Sequence, residues 1–445
     1  MATVPQIEPV FQIEVADLTT AIIVREHQKS LMLRAWILSG LFYMALPGTV
    51  LGFSNLLAIS AHHGLGSLPA AWIQGHGHAQ VFGWIGSFIL GIGFYSQPSH
   101  GRSVTRIPLS CFALWTSGVG LRWFANIYGW HWRVLFPVSA GFELIAVILF
   151  VAAASRHKIP GPTEGKPAKA PMDLWMVSVL LGTVGLTALV LFNFVECLVL
   201  AIHGTLLAFP HALDQQYLVL LAWGFIVPVV WGFSAHWLPA FLAISKPDTR
   251  LFREALLLDL TGVLCGVAGW TKAATILLAL SAVAIAIALH LTQRPHGYAK
   301  VQGIHPSFPL FIRLAYAWLV IAGSMGIWAA FADQHGGIWG ASRHALTVGF
   351  AATMVFAIGP RILPHFAGVH SIFSKRLMFL SLLLLQLGCT LRVSAEPLAY
   401  EGLLSFAWKV LPASGMLELS GVLLFAVNIA LTFLLGRSAF AHSRA

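Results

Sequence analysis

The stretch "QGHGHAQVFGWIGSFILGIGFYSQPSHG", residues 74–101, sets His76 and His78 at the mouth of a run that is almost wholly apolar from Val81 to Tyr95. A run of that length is membrane grade, because a hydrocarbon core of about 30 Å takes roughly 20 apolar residues of helix. The whole chain reads the same way: 58% of its 445 residues are hydrophobic, 9% are charged, and the mean hydropathy is +0.81, far from the soluble range. Comparable runs fall near residues 32–60, 79–97, 108–127, 134–154, 174–202, 213–244, 254–270, 273–292, 309–331, 343–362, 377–396 and 411–436. They are continuous, without the period-two alternation of a barrel strand. The expected fold class is therefore all-α, a polytopic membrane protein of about twelve transmembrane helices.

Residues 1–30 carry Glu8, Glu14, Asp17 and Glu26 and no basic start followed by an apolar block, so no cleavable signal peptide is expected. They read as a cytoplasmic N-terminal segment. With that end inside, 20 of the 26 lysines and arginines fall on the inner side, leaving Arg122, Arg133, Lys272, Arg343, Arg392 and Lys409 outside. Residues 438–445 then form a cytoplasmic tail. The net charge of +10 becomes a basic rim against the lipid bilayer and calls for no nucleic acid. Cys111, Cys197, Cys265 and Cys389 are scattered one to a span, which suits apolar packing better than disulfides or thiolate metal sites.

Two polar breaks, "SRHKIPGPTEGKPAKAPMD" (155–173) and "TQRPHGYAKVQGIHPSFP" (292–309), divide the membrane domain, 31–437, into three groups of four spans: 31–154, 174–292 and 309–437. "HAQVFGW" at His78 and "HALTVGF" at His344 look like copies, and "HALDQQY" at His211 lies between them, 133 residues from each. The spacing suggests a threefold pseudo-repeat with a histidine opening the second helix of each group. Nine of the 19 histidines (His62, His63, His76, His78, His131, His203, His211, His335 and His344) are expected in the outer half, where positive charge is scarcest.

An imidazole in hydrocarbon is costly unless paired or ligating, so intramembrane histidines are functional candidates. On a helix His76 and His78 point roughly 200° apart and would serve two different centres. His76, His78 and His344 are the expected haem or metal ligands, with interhelical hydrogen bonding as the alternative; His203, His211 and His236 are further metal candidates. Arg343, directly before His344, would hold a haem propionate or form part of the outer rim. Gly83, Ser87 and Gly91 make a smooth face suited to a macrocycle or to a close helix. Among the charges within spans, Glu143, Glu196, Asp259, Arg122 and Glu418 each need a partner. Glu196 lies seven residues before His203 on one helix face, which suits a proton relay or an ion pair with Arg122.

These motifs resemble the NnrS family. "HGHAQVFGW" is similar to its histidine pair and Phe-Gly in the second span. "RHALTVGFAATMVFAIGPR" is similar to its His-Ala-Leu-Thr-Val-Gly segment, with Met354 and Arg361 downstream, and "HWLPAFL" resembles its Arg-x-Ile-Pro-Ala-Phe element at Pro239, Ala240 and Phe241. The likeness extends loosely over all twelve spans, with Ala79 and His236 standing where the family has Glu and Arg. It implies a multi-pass protein of a bacterial inner membrane that binds one or two haem b groups and also copper. It further implies a role in handling nitric oxide or a similar small gas, fed by an electron donor not named by the sequence, and a layout like the catalytic subunit of haem-copper oxidases and nitric oxide reductases. Two other readings stand beside it. A metal or small-solute transporter would use the histidines as a conduit, although no inverted repeat is evident. An oxygen-reducing relative would need a His-x-x-x-Tyr pattern in span six, and Tyr217 lies six residues after His211 instead.

Overall fold

The computed structural model describes residues 9–97 apart from 65 and 67, then 106–155 and 172–436, with side chains from residue 24 onward. The acidic side chains of Glu8, Glu14 and Asp17, most of the 155–173 linker and the 438–445 tail lie outside the described residues. Among the described residues the chain forms twelve long helices and no strand. We number them α1 (Val24–His62, whose helix begins upstream at Pro9), α2 (Ala70–Ser96), α3 (Arg106–Tyr128), α4 (Trp132–Ser155), α5 (Leu174–His203), α6 (His211–Leu242), α7 (Thr249–Val267), α8 (Thr271–Ala288), α9 (Phe308–Ala332), α10 (Gly337–Phe366), α11 (Lys375–Tyr400) and α12 (Ala407–Leu435). Ten are long and apolar enough to cross a bilayer; α3 and α7, the more polar two, are first arms of hairpins. The chain is an all-α polytopic membrane protein.

The helices repeat one packing scheme three times. In each group the first helix packs on the second, and the third and fourth form a tight hairpin: α3 with α4, α7 with α8, α11 with α12. The fourth helix then packs on the first helix of the next group, α4 on α5 and α8 on α9, and α12 returns to α1 and closes the ring. The second helices meet near the centre, where Trp84 of α2 stands 5.9 Å from Phe356 of α10 and the middle segments of α6 and α10 touch.

Each second helix widens from α to π geometry at one register: Ala79–Gly86 after His78, Leu220–Ile226 after Val219, Ala345–Ala352 after His344. A glycine sits five residues after each of these positions, at Gly83, Gly224 and Gly349, and each admits the first helix of its group. A side chain at Gly83 would strike Tyr43, one at Gly349 would strike Trp318, and a methyl on Gly185 of α5 would land on the Gly224 carbonyl. The structural counterpart of His78 and His344 in the middle group is therefore Val219. His211 lies eight residues earlier, exposed, at the first position of α6. The equal 133-residue spacing does not mark equivalent positions, because the matching π segments begin 141 and 125 residues apart, at Ala79, Leu220 and Ala345.

The second helices also begin earlier than hydropathy suggests. Pro69, in extended conformation, starts α2 at Ala70, so His76 and His78 lie about two turns inside it. The polar residues of that first stretch are satisfied by α6 and its approach: the Gln74 amide donates to Asp214 Oδ1 at 3.0 Å and accepts from the Phe209 N–H at 2.9 Å. A hydropathy window cannot see partners of that kind.

Because Gly224 presents backbone, and not a movable side-chain tip, to Gly185, the substitution Gly185→Ala forces α5 and α6 apart. We expect a loss of ~1–3 kcal/mol, read as a lower melting temperature in detergent. Gly77→Ala, where nothing lies within 4 Å, is expected to leave the melting temperature unchanged or slightly raised.

Candidate functional site

Two histidine–carboxylate pairs stand inside the ring. His78 Nε2 meets Glu143 Oε1 at 2.7 Å, with 5% and 0% of the two side chains exposed. The Asn193 amide of α5 donates to Glu143 Oε2 at 3.0 Å, so both carboxylate oxygens are used. The His78 ring lies on Phe82 at 4.3 Å, and Phe82 lies on Trp115, whose indole N–H returns to the Phe82 carbonyl at 3.0 Å. Beside this pair the buried Arg122 donates from Nη1 to the Cys197 thiol and lies against the rings of Phe136 and Phe209 at 4.1 and 4.9 Å.

The second pair repeats the first. His344 Nε2 meets Glu418 Oε1 at 2.8 Å, in a slightly more open setting, and Arg392 pairs with Glu396 at 3.0 Å. The underlying residues are copies at the level of sequence. Gly118-Val-Gly-Leu-Arg122-Trp-Phe-Ala-Asn126 on α3 matches Gly388-Cys-Thr-Leu-Arg392-Val-Ser-Ala-Glu396 on α11. Pro137-Val-Ser139-Ala-Gly-Phe-Glu143 on α4 matches Pro412-Ala-Ser414-Gly-Met-Leu-Glu418 on α12, each glutamate being the twelfth residue of its helix. Gly118 and Gly388 make room for the carboxylate stems: a Cβ on either would stand 2.9 Å from Glu143 Cγ or 2.6 Å from Glu418 Cγ. In the middle group the twelfth residue of α8 is Ala282, so Val219 and Ala282 replace the polar pair. A reading led by histidines passes over these two repeats; the glycine-to-arginine and proline-to-glutamate spacings are the signal that reveals them.

His76 turns the other way, as its two-residue offset from His78 requires. Its Nδ1 lies 2.9 Å from the Gly48 carbonyl of α1, and its electrostatic neighbours are His344, Arg392 and Glu418. A carbonyl only accepts, so Nδ1 carries the proton and the neutral ring keeps a bare lone pair on Nε2. That carbonyl is reachable because α1 is itself π-wide over Met44–Val50, around Pro47. The two histidines thus serve two seams: His78 the one where α4 meets α5, His76 the one where α12 meets α1.

The remaining candidates are placed apart from this core. His203, His211 and His236 are exposed, and His236 packs on Trp175 at 4.4 Å. Arg343 Nε bonds the Trp339 carbonyl of its own helix at 3.2 Å. Glu196 makes no ion pair with Arg122 among the described residues; the arginine meets the neighbouring Cys197 instead. No group of three or more His, Cys, Asp or Glu placed to hold a metal ion occurs among the described residues. Cavities of about 230 and 30 Å3 open elsewhere, against Val369–Phe373 and against Lys29 and Tyr95.

These positions give each candidate ligand a separate test of fit to haem iron. His78 does not fit, since its Nε2 is taken by a fully buried carboxylate and its ring face by Phe82. His76 has the donor for it: its Nδ1–H is fixed by a carbonyl, the arrangement that orients ligating histidines, and its Nε2 is bare. His344 fits on condition, because an Nε2 held by Glu418 must leave that carboxylate to bind iron. Arg361 joins the "RHALTVGFAATMVFAIGPR" and "HWLPAFL" elements, lying over Phe241 at 3.9 Å, and donates to the Lys300 carbonyl.

Residues 240–434 match a family described as Domain of unknown function (DUF8744), which is less than half of the chain and includes His344, Arg392 and Glu418 but neither His78 nor Glu143. Comparison with curated proteins finds no match.

Removing Glu143 strands His78 and Asn193 in a water-free interior. Glu143→Ala is expected to lower stability by about 3–5 kcal/mol, and Glu418→Ala by less because its pair is less fully buried. Thermal unfolding of the two variants in one detergent checks the order.

Proposed function

We propose that this chain is a b-type haem protein of a bacterial inner membrane, with both termini in the cytoplasm, that binds nitric oxide or a similar small gas. The observation that carries the reading is His76, held through Nδ1–H on the Gly48 carbonyl with Nε2 bare, in the same seam as His344. The resemblance of "HGHAQVFGW" and "RHALTVGF" to the NnrS segments supports it independently. In this reading His76 and His344 would hold the haem and His78 would not. Bound haem iron would supply gas coordination and one-electron exchange at that seam.

The residues around the pair have definite work. The Gly48 carbonyl sets the His76 tautomer and raises the basicity of Nε2. Gly52 leaves room for the ring, since a Cβ there would stand 2.5 Å from His76 Cε1. Glu418 orients His344 through the 2.8 Å contact to Nε2. Arg392, whose Nη1 has no partner, is the cation beside His76 that an acidic substituent of the macrocycle would meet, in place of Arg343.

Full-length protein produced with ample haem is expected to show a Soret band and a pyridine haemochrome, and the band is expected to shift on anaerobic addition of nitric oxide. His76→Ala and His344→Ala should lose the band, and His78→Asn should keep it. A colourless wild-type preparation, or an unchanged spectrum in His76→Ala, would overturn the assignment.

A further inference from the structure

The two polar seams are near copies that differ by one charge. On α11, Arg392 is answered one turn later by Glu396, 3.0 Å away. The matching residue on α3, one turn after Arg122, is Asn126, whose amide donates to the Ala71 carbonyl at 2.9 Å. The other charged members of the repeat correspond, Glu143 to Glu418 and Arg122 to Arg392. The α3–α4 seam is therefore one negative charge short of its twin.

Arg122 bears that shortage directly. It is 2% exposed, and its Nε has no hydrogen-bond partner. Among the described residues no carboxylate stands within 4.0 Å of it. Glu143 is taken by His78 and Asn193, and Asp214 by the Gln74 amide at 3.0 Å. A guanidinium does not shed its proton, and a buried cation with no carboxylate in direct contact is disfavoured even where, as here, Asp214 lies within its electrostatic reach. A second free donor lies close by. Tyr217, 7% exposed, has an unpartnered hydroxyl and has Arg122, Glu143 and Asp214 among its electrostatic neighbours. It precedes Val219 by two residues, the same register position that His76 holds before His78. Phe209 is a common wall, 4.9 Å from the guanidinium and 5.5 Å from the Tyr217 ring.

We propose that the α3–α4 seam binds a small monovalent anion, a halide or an oxyanion the size of nitrite, against Arg122 and the Tyr217 hydroxyl. The anion supplies the charge that Glu396 supplies in the twin seam and accepts from both unpartnered donors. The site lies on the His78 side of α2, away from His76 and His344, so it stands or falls apart from the haem assignment.

The test is the melting temperature of the full chain in detergent, titrated with sodium chloride or sodium nitrite at constant ionic strength in sodium gluconate. Wild type is expected to show a saturable upward shift of a few degrees. Asn126→Glu, which copies Glu396, is expected to melt higher without added anion and to lose the response; if it does not fold, the isosteric Asn126→Asp takes its place. Chloride-35 line broadening should appear with wild type and vanish with the variant. A wild-type protein indifferent to both anions, as when water alone fills the site, overturns the proposal, and so does an undiminished response in the variant.

Discussion

A carboxylate in the interior of a bilayer has no water to solvate it, so its position is set by whatever partner can reach it. Glu143 and Glu418 meet this constraint in the same way, each from the twelfth position of a fourth helix, each with its stem against a glycine of the third helix and its oxygen on a histidine of the second. Three helices are thereby fixed relative to one another at each polar seam. The rest of the ring comes from the packing of fourth helices on the next group's first helix, which needs no polar contact. The middle group, with Val219 and Ala282, shows that the scaffold itself is apolar and that the pairs are additions to it.

The π segments give those pairs their aim. A π turn adds a residue to the ring closed by each backbone hydrogen bond and alters the rotation of the residues beyond it, a distortion that often marks functional positions. In α2 and α10 it begins directly after the paired histidine, so the imidazole is set by the regular helix before it and the core packing by the wider helix after it. In α1 the same widening, around Pro47, has a different product. The Met44 carbonyl is taken by the Thr49 hydroxyl at 2.8 Å, the Pro47 carbonyl by the Trp123 indole at 3.1 Å, and the Gly48 carbonyl by His76. Backbone carbonyls at this widening become the partners of side chains on two other helices.

Much of the fold is legible in the sequence because burial in a bilayer is written as long apolar runs. Ten of the expected spans meet the length and hydropathy of a crossing helix. The starts of α2 and α10 are not legible, because Gln74, His76 and Arg343 lower the local hydropathy, and the partners of Gln74 and His76 are distant in sequence. The opposed directions of His76 and His78 come from helical geometry alone. The pairing of His78 with Glu143 does not, because a separation of 65 residues carries no local signal; only the matching of α3 and α4 to α11 and α12 contains it. His203, His211 and His236 lie at exposed positions, a placement that residue type alone does not foretell.

One chain thus contains its own comparison set. Three sectors share a backbone plan. One carries an arginine with an ionic partner, one carries an arginine without, and one carries no charge at the corresponding places. Differences among the sectors separate what the scaffold imposes from what the polar residues impose, a separation that would otherwise require a series of designed proteins. Asp259, 4% exposed with a buried Oδ1 lacking a partner, lies on α7 of the middle sector, away from the positions that carry the pairs in the other two.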